Sequence, residues 1–142
     1  MRTFIQNQLS VFESLSMITR INHIAIVVAD LDDAIRSYQD RIGLTLSKRL
    51  HMPEQEVEIA FLPAGESMIE LIMPTSEDSG VAKYLAKRGE GLHHISLKVS
   101  DYKEAKKDFE NKDLTVMGEF GEIMAFIHPK SCKGILVEFT QV

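Results

Sequence analysis

A chain of 142 residues, with 44% hydrophobic and 26% charged residues, is long enough to bury the core of one soluble domain without disulfides. Its formal net charge of −5 argues against a nucleic-acid-binding surface, and no apolar run approaches the roughly 20 residues that a membrane-spanning helix needs. The single cysteine and the lack of a visible signal peptide predict a reducing, cytoplasmic setting.

Residues 1–18 are predicted to form an N-terminal extension. Their apolar residues recur at roughly helical spacing, which indicates a short amphipathic helix. The rest of the chain, residues 19–142, is predicted to form one domain. It consists of a first module at 21–74, a connector at 75–90 and a second module at 91–142.

The first module begins with a predicted strand over residues 21–28. Asp30 and Asp33 then indicate the start of a helix that runs to about Ile42 and is closed by Gly43. Three strands are expected over residues 44–51, 57–62 and 68–73, because the turn sequences MPEQ and PAGE separate alternating segments. The order of elements is therefore βαβββ.

The connector contains a short predicted helix over residues 79–87, and its basic end suits the negative pole of a helix. The second module then repeats the order of the first. A strand is expected over 92–99, a helix over about 101–112, and strands near 114–118, 122–127 and 134–141.

The two modules are related by a constant offset of 71 residues over their first strand and helix. Five pairs of identical residues share this offset. They are His23 with His94, Ile24 with Ile95, Val28 with Val99, Asp30 with Asp101, and Ala34 with Ala105. A constant offset of this kind indicates an internal duplication.

The last strands of the modules also correspond, because MIEL at Met68 recurs as LVEF at Leu136. Glu70 is therefore equivalent to Glu138. Each module offers one histidine on its first strand and one glutamate on its last. A lone strand histidine or glutamate is more often an ordinary core or surface residue, but the repeat favours a divalent metal site.

Strand residues alternate between two faces, and the four repeated polar residues fall on the face opposite the apolar one. We expect an α+β fold in which two tandem βαβββ modules form a curved, cupped eight-stranded mixed sheet, with helices on the outer face. The four polar side chains then line the cavity, where a buried carboxylate needs a cation or a hydrogen-bond donor. His93 is expected to point away from His94 and to be structural.

Glu58 is a fifth polar residue assigned to this cavity. In the segment VEIAFL, Val57, Ile59 and Phe61 are assigned to the helix side, which places Glu58 and Ala60 inside. No basic residue is an obvious partner for Glu58. A solvated strand glutamate is the alternative interpretation.

These features resemble the vicinal oxygen chelate superfamily, which includes glyoxalase I, extradiol dioxygenases and antibiotic-resistance binding proteins. Within it, residues 21–142 are similar to the methylmalonyl-CoA epimerase family. The resemblance is carried by HIAIVVADLDDAIRSYQDRIGL, MPEQEVEIAFLPAG, IELIMP, VAKYLAKRGEGLHHISLKVSD and AFIHPKSCKGILVE. The chain departs from the family pattern at Glu56, where a glycine is frequent, and in MGEFGEIMAF, which lacks the usual glycine-rich turn.

The resemblance implies one divalent metal ion per chain, held by His23, Glu70, His94 and Glu138. It favours Co2+, with Zn2+, Mn2+, Ni2+ or Fe2+ as alternatives. It also implies that Glu58 and Glu138 transfer protons. The implied reaction interconverts (2R)- and (2S)-methylmalonyl-CoA by removal and return of the C2 proton through a metal-stabilised enolate.

The implied partners are a small-molecule acyl-CoA substrate and a second copy of the chain in a homodimer, with no nucleic acid and no membrane. Two rival functions stay open. A glyoxalase I-like lactoylglutathione lyase would use the same four residues on a hemithioacetal. A metal-free small-molecule-binding protein of the same fold would not need them.

Overall fold

The computed structural model describes residues 17–142, so the helix predicted within residues 1–18 lies almost wholly outside the described residues. The βαβββ order occurs twice, as predicted. The first module contains β1 (Ile18–Val27), α1 (Leu31–Arg36) with a π-helical continuation (Ser37–Ile42), β2 (Lys48–Met52), β3 (Val57–Ala64) and β4 (Ser67–Pro74). After α2 (Gly80–Arg88), the second contains β5 (Gly91–Val99), α3 (Tyr102–Asn111), β6 (Val116–Phe120), β7 (Met124–Ile127), a 3-10 turn (Pro129–Ser131) and β8 (Val137–Thr140).

The eight strands form one mixed sheet in the order β2-β3-β4-β1-β5-β8-β7-β6. β1 pairs with β4 in parallel, whereas β2, β3 and β4 pair antiparallel, as do β6, β7 and β8. The predicted α+β fold with an eight-stranded mixed sheet is therefore confirmed.

Equivalent side chains cap the first helix of each module. The Asp30 carboxylate accepts a hydrogen bond from the backbone N–H of Asp33, and Asp101 accepts one from that of Glu104. Each bond satisfies a donor that the helix itself leaves unpaired. Gly43 ends the helical segment in the left-handed region at φ 93°, where glycine avoids steric strain.

The described chain divides into two compact units, and the division falls inside β1 and β5. The first compact unit is Asn22–Ile95, and the second combines the described residues up to Ile21 with Ser96–Val142. The predicted limits of a single domain at 19–142 stay a prediction. No helix among residues 17–142 is long and apolar enough to cross a bilayer.

Two apolar clusters stabilise the first compact unit. The α1 cluster packs the helix on strand residues, and its buried members are Val28, Leu31, Ala34, Ile35, Ala60, Leu62 and Leu71. The second, which we call the Ala25 cluster, buries Ala25, Val57, Ile59 and Ile72. The strand β3 supplies Ala60 and Leu62 to the α1 cluster and Val57 and Ile59 to the Ala25 cluster. It therefore buries apolar side chains on both faces of the sheet.

The second compact unit has one main cluster, built by α3 on β7 and β8. The Phe139 ring stacks on Tyr102 with centroids 5.3 Å apart and meets Phe109 edge to face at 5.1 Å. Ala125 and Ile127 complete the packing from β7. Phe139 therefore faces α3, and strand alternation places Glu138 on the other face.

Candidate metal and proton-transfer site

Three of the four predicted metal ligands converge within the first compact unit. His23 on β1 and His94 on β5 place their Nε2 atoms 3.0 Å apart, with the rings edge to face. The parallel register pairs Glu70 with Ala25, and Ala25 and His23 point to the same face of the sheet because they are two residues apart on β1. The Glu70 carboxylate therefore lies on the same face as the His23 ring. Glu70 Oε2 then lies 3.5 Å from His23 Nε2.

Both histidines are buried, with 7% of His23 and 5% of His94 exposed. Burial lowers the pKa of His23 to about 4. The pKa of His94 is lowered to about 3, first by burial and then by the neighbouring His93 and His23. Both imidazoles are therefore neutral at pH 7, which is the form that binds metal ions.

Each of these histidines has a hydrogen-bonding neighbour at its Nδ1 atom. Asn22 Oδ1 lies 2.8 Å from His23 Nδ1, and His93 Nδ1 lies 2.8 Å from His94 Nδ1. His93, predicted to face away, thus contacts its neighbour directly. The prediction missed both partners, although each immediately precedes a repeated histidine in the sequence.

The donor atoms fit a divalent cation. Because Asn22 Oδ1 accepts a hydrogen bond, the His23 proton is assigned to Nδ1, and Nε2 presents a lone pair. That lone pair faces the Glu70 carboxylate, which when ionised is also only an acceptor. A cation satisfies both groups at once. Imidazole and carboxylate ligands suit Co2+, Zn2+, Mn2+, Ni2+ and Fe2+.

The fourth predicted ligand, Glu138, is described within the second compact unit. It lies on β8, is 5% exposed, and accepts a hydrogen bond of 2.7 Å from the Ser96 hydroxyl. Burial raises the pKa of Glu138, and the hydrogen bond from Ser96 opposes this shift. Glu138 is thus a buried carboxylate with an increased affinity for a proton.

The predicted placement of Glu58 is wrong. In the antiparallel register of β3 with β4, Glu58 is opposite Met73, whereas Phe61 is opposite Glu70. Met73 packs against the α1 cluster, so Glu58 shares the helix side with Ala60. Val57, Ile59 and Phe61, assigned to the helix side from the sequence, instead belong to or pack against the Ala25 cluster.

Glu58 also has the basic partner that the sequence did not reveal. Its carboxylate accepts a hydrogen bond of 3.2 Å from Arg49 on β2, and Arg49 also pairs with Asp32 of α1. These contacts link β2, β3 and α1 on the outer surface of the first compact unit. The sheet separates Glu58 from the face that carries His23 and Glu70.

Comparison with known proteins gives a consistent family assignment. The family model described as Glyoxalase/Bleomycin resistance protein/Dioxygenase superfamily matches residues 22–125. The human mitochondrial methylmalonyl-CoA epimerase is 35% identical over 129 residues, which cover 86% of this chain and 73% of that protein.

Solved structures give the same assignment. The crystal structure of the Mycobacterium tuberculosis methylmalonyl-CoA epimerase superposes with a TM-score of 0.80 and 32% identity, covering 89% of each chain. A variant of the Streptomyces coelicolor methylmalonyl-CoA epimerase, in complex with 2-nitronate-propionyl-CoA, has a TM-score of 0.79 and 36% identity. This match covers 86% of the present chain and 93% of the Streptomyces chain.

Proposed function

The chain belongs to the Glyoxalase/Bleomycin resistance protein/Dioxygenase superfamily, and we propose that it is a metal-dependent methylmalonyl-CoA epimerase, an isomerase. The observation that carries this proposal is that His23 Nε2 lies close to both His94 Nε2 and the Glu70 carboxylate, at 3.0 and 3.5 Å. It occurs in a chain whose relatives and structural neighbours include methylmalonyl-CoA epimerases.

The proposed metal site holds one divalent ion with His23, Glu70, His94 and Glu138. The geometry of the first three and the neutral state of both imidazoles support this assignment. Glu138 is included because the internal repeat makes it equivalent to Glu70 and because its carboxylate is buried. Co2+ is the ion that the family resemblance favours, and Zn2+, Mn2+, Ni2+ and Fe2+ suit the same donors.

The reaction requires removal of a proton from the carbon between a thioester and a carboxylate. When bound, a divalent cation supplies Lewis-acid stabilisation of the negative charge that develops on the thioester oxygen. In this proposal Glu138 exchanges the C2 proton on one face of the substrate, and inversion is completed by a proton donor on the opposite face. In the metal-free protein burial raises the pKa of Glu138, and a carboxylate with a raised pKa is a stronger general base.

Ser96 positions Glu138 for this role. Its hydroxyl donates to one carboxylate oxygen, Oε1, at 2.7 Å, and the serine is fully buried. A fixed donor limits the rotation of the carboxylate and favours its ionised form. Glu58 is not part of the proposed proton-transfer machinery, because it lies on the face of the sheet opposite His23 and Glu70 and is paired with Arg49.

The substrate class follows from the structural neighbours. The Streptomyces protein binds 2-nitronate-propionyl-CoA, and we assign an acyl-CoA thioester to the present chain on that similarity. A homodimer and a cytoplasmic location stay part of the proposal.

Paired assays distinguish this function from the two rivals. We expect the purified protein to contain close to one divalent ion per chain by elemental analysis and to epimerise methylmalonyl-CoA. It should not convert the hemithioacetal of methylglyoxal and glutathione. The reverse substrate preference would favour the lactoylglutathione lyase. Binding of an acyl-CoA without metal or turnover would favour the metal-free binding protein.

A further inference from the structure

The residues that precede the two ligand histidines are related by the internal repeat. Asn22 and His93 stand at equivalent positions of the two modules, 71 residues apart, as do His23 and His94. Each contacts the Nδ1 atom of the histidine that follows it at 2.8 Å. The same local geometry thus occurs twice, with an amide in one module and an imidazole in the other.

The two partners differ in the hydrogen bonds that they permit. An amide oxygen only accepts, so Asn22 keeps the His23 proton on Nδ1 and leaves Nε2 with a lone pair. The Nδ1 atom of His93 either accepts or donates, depending on which ring nitrogen carries its proton. His94 therefore has two accessible tautomers, whereas His23 has one.

One arrangement of the ring protons makes each of these short contacts a hydrogen bond without a cation. His93 Nδ1–H donates to His94 Nδ1, and His94 Nε2–H donates across 3.0 Å to His23 Nε2. His23 Nδ1–H in turn donates to Asn22. In this arrangement His94 Nε2 carries a proton and offers no lone pair to a metal.

The second arrangement reverses the direction of one hydrogen bond. His94 Nδ1–H donates to His93 Nδ1, and His94 Nε2 then presents a lone pair toward the lone pair of His23 Nε2. Two lone pairs at 3.0 Å repel each other, and the Glu70 carboxylate adds further negative charge nearby. A cation between these atoms converts the repulsion into coordination.

We propose that His93 is a positioning residue that allows His94 to change tautomer, so that metal binding reverses the His93–His94 hydrogen bond. His94 releases its Nε2 proton to water and gains one at Nδ1 from His93, while His93 takes up a proton from water at its own Nε2. The pair keeps its total number of protons. This inference rests on the proposed metal site, although it does not depend on which reaction the site performs.

Contacts around His93 hold its ring in the position that the proposal requires. The ring meets Tyr84 of α2 edge to face with centroids 4.8 Å apart, and the Tyr84 hydroxyl donates to the carbonyl of Leu92. The Arg88 guanidinium lies 5.1 Å from the Tyr84 ring centroid, within the range of a cation–π interaction. His93 is thus fixed from the side of α2 while its Nδ1 atom faces His94.

The direct test is 15N-detected NMR of the five histidines in the metal-free full chain and in the same chain titrated with Zn2+. We expect His23 to carry its proton on Nδ1 throughout and His94 to change from the Nε2–H to the Nδ1–H tautomer on binding. A His94 ring that is already Nδ1–H without metal would overturn the inference. Failure of Zn2+ to bind would overturn the proposed metal site itself.

Substitutions provide a second test with Zn2+ affinity as the measurement. His93→Leu removes the partner and should weaken Zn2+ binding by about 10- to 100-fold, the usual effect of losing a group that orients a metal ligand. His93→Asn copies Asn22 and should restore affinity to within a few-fold of the wild type, with His94 fixed as Nδ1–H. His51→Leu, at an exposed histidine, is the matched control and should leave affinity unchanged.

A His93→Leu protein that folds and binds Zn2+ as tightly as the wild type would contradict the proposal. Equally weak Zn2+ binding by His93→Asn and His93→Leu would also contradict it. That result would mean that His93 acts by packing, because only the asparagine variant supplies a hydrogen-bond acceptor to His94. Because neither measurement uses turnover, a protein with the tautomer change but no epimerase activity would contradict the proposed reaction and leave this inference intact.

Discussion

Glu58 on β3 and Glu138 on β8 are both strand glutamates to which the family resemblance assigns proton transfer, yet the structure gives them different surroundings. Glu58 is partly exposed, lies on the helix side of the sheet and is paired with Arg49. Glu138 is buried, and a neutral donor, Ser96, contacts it. The residue type is the same, but burial raises the pKa of Glu138, as suits a base, whereas Glu58 has an ion-pair partner.

This comparison shows that the chemical role of a carboxylate depends on its face and its partner. Pairing with a guanidinium stabilises the ionised form, and exposure to water does the same. Burial raises the pKa of a carboxylate, and a hydrogen bond from a neutral hydroxyl offsets only part of that rise. Four substitutions test the contrast, and they are ordered here from the largest expected effect to the smallest.

Glu138→Gln should abolish most turnover, with a fall of about 1,000-fold in the rate of C2 proton exchange, because the variant loses a general base. The amide is nearly isosteric, so the fold should persist. Exchange is measured by deuterium incorporation into methylmalonyl-CoA, with circular dichroism as the control for folding. A variant that retains more than a tenth of the wild-type rate would remove Glu138 from the mechanism.

His94→Ala should lower the affinity for Co2+ or Zn2+ by more than about 100-fold, since losing a ligand costs at least as much as losing a group that orients one. Turnover should fall with the bound metal. His51→Ala is the matched control, because His51 is exposed on the strand β2 and pairs with Glu58 in the register. Equal metal affinity in the two variants would contradict the proposed site.

Ser96→Ala should reduce turnover by about tenfold at neutral pH, as expected from loss of a hydrogen bond to a charged group. The hydroxyl lowers the pKa of Glu138, so its removal raises that pKa. Glu138 then stays protonated to a higher pH, and the acidic limb of the kcat/KM profile should move upward. An acidic limb that stays in place or moves to lower pH would show that Ser96 does not act on the base.

Glu58→Gln should leave turnover within about twofold of the wild type. Loss of the partly exposed pair with Arg49 should lower the free energy of unfolding by at most about 1 kcal/mol. Chemical denaturation measures the stability, and the C2 exchange assay measures turnover. A loss of exchange comparable to that of Glu138→Gln would contradict the assignment of Glu58 to the outer face.

Much of the architecture follows from simple patterns in the sequence. The repeat predicts the order of elements, and strand alternation correctly assigns His23 and Glu70 to one face. Alternation fails in β3 because both faces of that strand are apolar and buried, as Ile59 and Ala60 illustrate. Hydrophobicity then does not indicate which face lies under the helix.

The turn between β3 and β4 carries the missing information. Gly65 and Glu66 form a two-residue connection that pairs Ala64 with Ser67. Counting back along both strands from that pair places Glu58 opposite Met73 on the helix side. A short turn thus determines register where the hydrophobic pattern does not.

The partners of the proposed ligand histidines could not be found by alternation. Adjacent strand residues point to opposite faces, so alternation predicts that His93 points away from His94, and it gives no reason to pair Asn22 with His23. Their side chains nonetheless approach the neighbouring Nδ1 atoms at 2.8 Å. The repeat itself is the signal, because polar residues precede the ligand histidine in both modules.

The most direct test of the central claim is exchange of the C2 proton of methylmalonyl-CoA in deuterium oxide, measured by mass spectrometry on the metal-loaded protein before and after treatment with a chelator. We predict rapid exchange with metal, loss of exchange on chelation, and recovery when Co2+ is restored. Exchange that continues at the same rate in demonstrably metal-free protein would contradict the account.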